Sequence, residues 1–150
     1  MEEKNYEVNK KYDEKILINI LKNFDKTGEY VVEPGRNEIK KFEIDIENNL
    51  KKGNEKKKKN NKIENTETKK MVNVKKFKQK DFITNFFYKF KGSKAKRSYE
   101  YAKKLLECKI KTPEPIAYFD DFVNENNKKN SYYISEELKY DFTCREVFWP

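Results

Sequence analysis

Lys75 is the residue whose position most directly suggests chemistry. It follows Val72 and Val74, two valines that alternate along a short apolar run, so a strand would fix the lysine on one face of a sheet. A lysine fixed in this way can hold an anionic group such as a phosphate as a point charge. The pattern alone is weakly specific, because a lysine near a strand end is more often a solvated surface charge. The neighbouring Lys76 would lie on the opposite face.

Several other kinds of chemistry are excluded by residues that the sequence lacks. It has no histidine, which rules out histidine-based acid–base catalysis, Ser-His or Cys-His nucleophile pairs and the common His-containing zinc sites. Its two cysteines, Cys108 and Cys144, form no C-x-x-C pair and are too few for a disulfide framework. No signal-peptide pattern or long apolar run stands in the sequence. We therefore expect a reduced, cytoplasmic protein.

The basic charge is concentrated in one segment. Residues 48–70 contain nine lysines and three glutamates, a net charge of +6 out of +9 for the whole sequence. The segment has no apolar period and almost no aromatic or β-branched residues, which predicts a disordered insertion. Polyanion binding through counterion release is the alternative. We do not expect nucleic-acid binding, because the segment lacks the interleaved aromatics that such binders use.

The elements around Lys75 can be predicted from apolar periodicity. Residues 13–24 have the pattern of an amphipathic helix with Asp13 as its N-cap. Residues 28–46 form two apolar runs around the Pro34-Gly35 turn, which predicts a β-hairpin, and residues 71–77 form a third strand. The insertion would lengthen the connection between the second and third strands.

Helices and then two further strands follow. Helices are predicted over residues 80–90 and 93–108, the second with Ser93 as N-cap, and strands over 112–119 and 131–138, joined by a hairpin loop. The apolar stripe of the second helix comprises Ala95, Ala102, Leu105 and Leu106. The predicted fold class is α+β, with a five-stranded antiparallel sheet and helices inserted after its third strand.

This order of elements resembles the smaller, N-terminal lobe of protein-kinase-like folds. Val72-Asn73-Val74-Lys75 matches the Val-Ala-Ile-Lys spacing of the third strand in those folds. The stretch SKAKRSYEYAKKLLECKIKTPEPIAYF (93–119) resembles the αC-type helix and following turn of the bacterial lipopolysaccharide-core sugar kinases, which phosphorylate Kdo or heptose. GRNEIK (35–40) and SYYISEEL (131–138) followed by DFTCREV also resemble that family. The matching positions in the longest stretch are Ser93, Ala95, Arg97, Tyr99, Ala102, Leu105, Leu106, Ile110, Thr112, Pro113, Pro115, Ile116, Ala117 and Tyr118.

The resemblance implies ATP- and Mg²⁺-dependent phosphoryl transfer to a sugar hydroxyl. Lys75 would bind the nucleotide phosphates, and the turn of Gly35, Arg36 and Asn37 would cover them. The hinge, residues 136–138, would bind adenine through the carbonyl of Glu136 and the amide of Leu138. Ser135 would lie at the back of that pocket. The acceptor implied is a glycolipid at the membrane surface, which would place the protein at the periphery of the inner membrane.

The sequence departs from the family at two positions on the second helix. Glu100 is the obvious carboxylate partner for Lys75, but the helical period places it opposite the apolar stripe, where it should face solvent, while Ser98 takes the core-facing position. Lys109 stands where the family has the glycine that ends the helix in a left-handed turn. We therefore expect either strain or a frayed helix end at Lys109. Either the helix docks by a different face, or Lys75 has no partner on it.

The resemblance also implies how the sequence is organised. Residues 1–27 would form an N-terminal helical extension, 28–138 the kinase-like lobe with its insertion, and 139–150 the start of a larger lobe. That lobe would hold the catalytic base and the Mg²⁺ ligands, so we expect no catalytic or metal-binding residue within this sequence. By itself it should bind nucleotide poorly and transfer no phosphate. The apolar residues from Phe142 to Trp149 would otherwise dock a protein partner, which is the alternative of a non-catalytic interaction module.

Overall fold

The computed structural model describes residues 5–35, 37–46, 69–78 and 92–139. These residues form one antiparallel sheet of six strands, with one helix before the second strand and one between the fourth and the fifth. The order in the sheet is β1-β5-β6-β4-β3-β2. The elements are β1 (Tyr6–Val8), α1 (Glu14–Lys22), β2 (Glu29–Tyr30), β3 (Asn37–Asp45), β4 (Lys69–Lys78), α2 (Lys94–Glu107), β5 (Pro115–Val123) and β6 (Lys129–Glu136).

Helix α1 covers one face of the sheet. It begins where predicted, because the side chain of Asp13 accepts a hydrogen bond of 2.8 Å from the amide of Lys15. Its apolar residues Leu17 and Leu21, with Phe24 just beyond the helix, are completely buried. They join the inward side chains of β3, β4 and β6 in the main hydrophobic core. The predicted N-terminal extension is therefore packed onto the sheet.

Strands β3 and β4 follow the predicted alternation of apolar residues. Phe42 and Ile44 of β3, and Val72 and Val74 of β4, point into the core. The preceding strand β2 is only two residues long and pairs with β3 opposite Lys40 and Lys41.

The boundary of the predicted insertion is different from the structure. Strand β4 begins at Lys69, so Lys69 and Lys70, which their composition assigned to the insertion, belong to the sheet. Residues 48–68 of the insertion lie outside the described residues, as do the predicted helix 80–90 and the segment 140–150 that contains Phe142 to Trp149.

Helix α2 covers the opposite face. It begins after Ser93, whose Oγ accepts from the amide of Lys96 at 2.9 Å, as predicted. Ala95, Tyr99 and Ala102 are its buried residues, and they contact a second cluster that includes Phe77 and Tyr118. The predicted stripe is correct only in its first half. Leu105 and Leu106 are 38% and 39% exposed.

Helix α2 ends in a left-handed turn, which is the geometry expected for the glycine that Lys109 replaces. Lys109 has a φ of 59°, in the left-handed region. The amide of Ile110 donates to the carbonyl of Leu105 and the amide of Lys109 to that of Leu106, each at 2.9 Å. These two bonds define a Schellman motif, with lysine at the position that normally favours glycine.

The predicted count of five strands is wrong, because the sheet has six. The additional strand is β1, which pairs with β5 so that Tyr6 lies opposite Phe119 and Val8 opposite Ala117. A run of three residues is too short to show an alternating pattern, and its partner is more than 100 positions away in the sequence. The α+β class and the antiparallel sheet are confirmed, and the element order from β2 onward is the predicted one apart from the segments outside the described residues.

Candidate functional site

Lys75 lies in the middle of β4, near the centre of the sheet. It is paired with Ile39 of β3 on one side and with Tyr133 of β6 on the other. Its side chain shares a face with Phe77, which packs against α2. Lys75 is therefore a half-buried lysine on the face of the sheet that carries α2.

Lys75 differs from the other lysines of its strand because it has no carboxylate partner among the described residues. Its Nζ lies 5.1 Å from the centre of the Phe77 ring, and within the described ranges no carboxylate oxygen is within 4 Å of it. The remaining pairs on this strand are Lys69 with Glu43, Lys70 with Glu136, Lys76 with Asp25, and Lys78 with Glu38. Within the described ranges, the charge of Lys75 is therefore not offset by an ion pair.

Lys76 lies on the opposite face of the sheet, as the strand alternation predicted, and has a structural role there. It is 8% exposed, and its Nζ donates to Asp25 Oδ1 at 2.7 Å. Burial alone would raise the pKa of Asp25, but the hydrogen bond and the charge of Lys76 outweigh it and hold that pKa below its usual value. Lys76 thereby ties the loop after α1 to the sheet, and it is not a candidate for ligand binding.

Helix α2 supplies no acidic partner for Lys75 at the position where kinases have one. Glu100 is exposed, as the helical period predicted. Ser98 is half-buried, and its Oγ donates back to the carbonyl of Lys94 at 2.8 Å. A partner for Lys75 would have to be a ligand or a residue outside the described ones.

The hinge begins where β6 ends. The amide of Glu136 donates to the carbonyl of Glu114 at 3.0 Å, and the amide of Glu137 donates to Met71 at 3.1 Å. Leu138 is 51% exposed, and its amide has no backbone partner in the described segments. Within the described residues, the amide at the position predicted to contact adenine is therefore not used by the backbone of the sheet.

Register fixes the separation between Lys75 and the hinge. Glu136 is paired with Val72, three residues before Lys75 on β4. At 3.3–3.4 Å per residue, the two positions are about 10 Å apart along the strand. This separation is comparable to the length of a nucleotide from its base to its phosphates.

Asn73 is a candidate ligand contact that sequence reasoning missed. It lies two residues before Lys75, on the same face, opposite Ser135 of β6 and Lys41 of β3. Its Oδ1 is buried and has no hydrogen-bond partner among the described residues, and an unpaired buried polar atom costs about 1–3 kcal/mol. Ser135, predicted at the back of the pocket, is buried beside it. The only sequence signal was a polar residue inside the Val-x-Val-Lys pattern.

The Gly35 turn lies at the other end of the site from the hinge. Asn37 opens β3 opposite Phe77, on the same face as Lys75. Gly35 is exposed, and a Cβ added to it would contact nothing within 4 Å, so packing does not require a glycine there. Arg36 lies outside the described residues. Lys75 thus stands between this turn and the hinge, as the predicted roles require.

The residues present fit a nucleotide better than they fit a metal ion. In the part of the chain that the structure describes, Lys75 Nζ, the Leu138 amide and Asn73 Oδ1 have no ion-pair or hydrogen-bond partner; a cation suits phosphate, and an amide donor and an oxygen acceptor suit the polar edge of a base. Among the described residues, no group of three or more Cys, Asp or Glu side chains could hold a metal ion. If Mg²⁺ accompanies the nucleotide, its protein ligands are not a cluster in the described part of the chain.

Comparisons with known proteins leave the site to be interpreted from its own geometry. No family model matches the chain, and no curated protein or solved structure matches it significantly. No helix within residues 5–35 or 92–139, the described ranges that contain helices, is both long and apolar enough to span a bilayer.

Proposed function

We propose that this chain is the nucleotide-binding lobe of a kinase-like phosphotransferase of the lipopolysaccharide-core sugar kinase type, and that it binds ATP. The observation that carries the proposal is the state of Lys75. It is a half-buried cation at the centre of the sheet with no described carboxylate partner, while every other lysine on its strand has one. A partly buried charge favours a counter-charge, and phosphate provides one.

The neighbouring groups support the same ligand. The amide of Leu138 and the carbonyl of Glu136 bind adenine, and the phosphates extend along β4 to Lys75. Asn37 and the Gly35-Arg36 turn lie beyond the phosphates. Lys75 neutralises charge on the transferred group, which is the largest contribution that a protein makes to phosphoryl transfer.

The acceptor and the location are part of the proposal through the resemblance alone. The acceptor is the hydroxyl of a Kdo or heptose residue on a glycolipid. Mg²⁺ would accompany ATP and offset the charge of its phosphates. A cytoplasmic location at the periphery of the inner membrane would bring ATP and such an acceptor together.

The proposal is tested by ATP affinity, measured by titration with magnetic-resonance detection of backbone amides. We expect ATP to shift the amide signals of β4 around Lys75 and those of the hinge. Lys75→Met should weaken binding about tenfold or more, because a hydrogen bond to a charged group is worth about 1.5–3 kcal/mol.

Lys78→Met is the matched control. It removes the same charge from the same strand, three residues away and on the other face, where Lys78 is paired with Glu38. Equal losses in the two variants would mean that ATP is attracted by net charge alone, and the proposal would be wrong. It would also be wrong if the wild-type protein bound no ATP.

A further inference from the structure

The N-terminal segment, residues 5–12, lies along β5, which in turn pairs with β6, the strand that leads into the hinge. The amide of Asp120 donates to the carbonyl of Asn5, and the amide of Asn9 donates to that of Ile116, each at 2.7 Å. Between these bonds, β1 pairs with β5 over three residues. The segment is therefore fixed to the sheet before it reaches Tyr12.

Tyr12 connects this segment to the first residue of the hinge. Its ring is buried in the main core, and its hydroxyl donates to Glu136 Oε1 at 2.6 Å. Lys70 donates to the same carboxylate oxygen, and its Nζ lies 3.3 Å from the Tyr12 hydroxyl. Two side chains, one from the N-terminal segment and one from β4, thus converge on one carboxylate oxygen at the end of β6.

Glu114 makes a second connection between the same parts. Its carbonyl accepts the amide of Glu136 at 3.0 Å. Its carboxylate accepts from Asn9 Nδ2 at 3.2 Å and from Lys11 Nζ at 2.8 Å. Both the backbone and the side chain of Glu136 are therefore tied to the N-terminal segment, one directly and one through Glu114.

We propose that Tyr12 is a positioning residue for the nucleotide site: with Lys70, it holds Glu136 so that the backbone of the hinge is fixed in the orientation that binds adenine. The ligand in this statement rests on the proposed function, whereas the fixing of the hinge rests only on the contacts above. Displacement of the N-terminal segment would then weaken ATP binding without touching ATP, which makes this segment a regulatory element for the site.

The test compares Tyr12→Phe with Tyr6→Phe. Each variant removes one hydroxyl from the N-terminal segment, but the Tyr6 hydroxyl donates to Glu14 at 2.8 Å, away from the hinge. Hydrogen exchange of single amides is measured by magnetic resonance, with the amide of Val74 as internal reference for global unfolding. Tyr12→Phe should accelerate exchange at Glu136 and Glu137 about tenfold relative to that reference, and Tyr6→Phe by less than about twofold.

Ligand binding separates positioning from a general loss of structure. ATP affinity should fall about tenfold in Tyr12→Phe, whereas affinity for inorganic tripolyphosphate, which needs Lys75 but no hinge, should stay within about twofold of wild type. Equal exchange rates in the two variants, or an unchanged ATP affinity in Tyr12→Phe, would overturn the inference. A parallel loss of tripolyphosphate binding would overturn it as well.

Failure of the proposed function would look different. In that case the wild-type protein itself would bind neither ATP nor tripolyphosphate. The hydrogen-exchange comparison would then decide by itself whether Tyr12 fixes the hinge. Faster exchange in Tyr12→Phe than in Tyr6→Phe would support that role, and equal exchange would refute it.

Discussion

Replacement by methionine should have different effects at two neighbouring lysines of β4: at Lys76 it should mainly lower stability, and at Lys75 it should mainly lower ATP affinity. Methionine keeps a long side chain and removes the charge. Lys76 Nζ lies 2.7 Å from Asp25 Oδ1 and 3.7 Å from Glu38 Oε2, and its side chain is nearly enclosed. Removing one partner of a buried ion pair costs about 3–5 kcal/mol, because the other charge stays buried. Asp25 is partly solvated and keeps a hydrogen bond from Asn124 at 3.0 Å, so we expect a loss of about 2–3 kcal/mol for Lys76→Met.

Lys75 should contribute much less to stability. Among the described residues, its Nζ has no carboxylate partner and lies 5.1 Å from the centre of the Phe77 ring. A cation–π contact at a partly exposed position is worth about 0.5–1 kcal/mol, which is the upper limit of the loss expected for Lys75→Met. The same substitution should abolish most of the ATP affinity, whereas Lys76→Met should leave that affinity unchanged wherever the protein is still folded.

Urea denaturation followed by circular dichroism measures the difference. Lys76→Met should lower the midpoint by roughly 1–2 M at constant m value, and Lys75→Met by less than about 0.5 M. Lys78 is exposed on the same strand, so the free energy of unfolding of Lys78→Met should stay within about 0.5 kcal/mol of the wild-type value. If Lys75→Met were as destabilising as Lys76→Met, Lys75 would have a structural partner, and the argument that its charge is reserved for a ligand would be refuted.

Three further substitutions test the backbone and the buried charges. Lys109→Gly should raise the free energy of unfolding by about 0.5–1 kcal/mol in urea denaturation, because glycine accepts the φ of 59° without strain. Lys111→Gly, at a position outside the left-handed region, should lower the free energy of unfolding. Equal effects of the two substitutions would contradict the strain at Lys109. Gly28→Ala should cost about 2 kcal/mol or more by the same assay, since its φ is +83° and the new Cβ would lie 2.6 Å from Phe42 Cε1; a neutral result would refute that contact. Burial raises the pKa of Asp120, so ionisation of this carboxyl destabilises the fold as the pH rises through the raised pKa. Asp120→Asn should therefore be more stable than wild type at about pH 7, and the gain should vanish near about pH 3. A gain in stability that did not change with pH would contradict this reasoning.

Local signals in the sequence were enough for the elements that carry the candidate site. Alternating valines predicted β4, and the Ser93 cap with its apolar period predicted α2. These features predicted correctly that Lys75 and Lys76 lie on opposite faces and that Glu100 faces solvent. Each of these properties depends on residues only a few positions apart.

Long-range contacts were the part that the sequence could not reveal. Strand β1 exists because β5 offers it an edge, and nothing in three residues indicates that partner. Lys70 was hidden among the lysines of the insertion, although it is an ion-pair partner of Glu136 at the start of the hinge. The role of Tyr12 also depends on a residue 124 positions away.

Labelling with an ATP acyl phosphate tests the central claim most directly. This reagent transfers its acyl group to a lysine amine close to the bound phosphates, and mass spectrometry of the digested protein identifies the modified residue. The account predicts that Lys75 is acylated in preference to Lys69, Lys70, Lys76 and Lys78, and that excess ATP prevents the labelling. Labelling spread evenly over exposed lysines and unaffected by ATP would contradict the claim that Lys75 marks a nucleotide site.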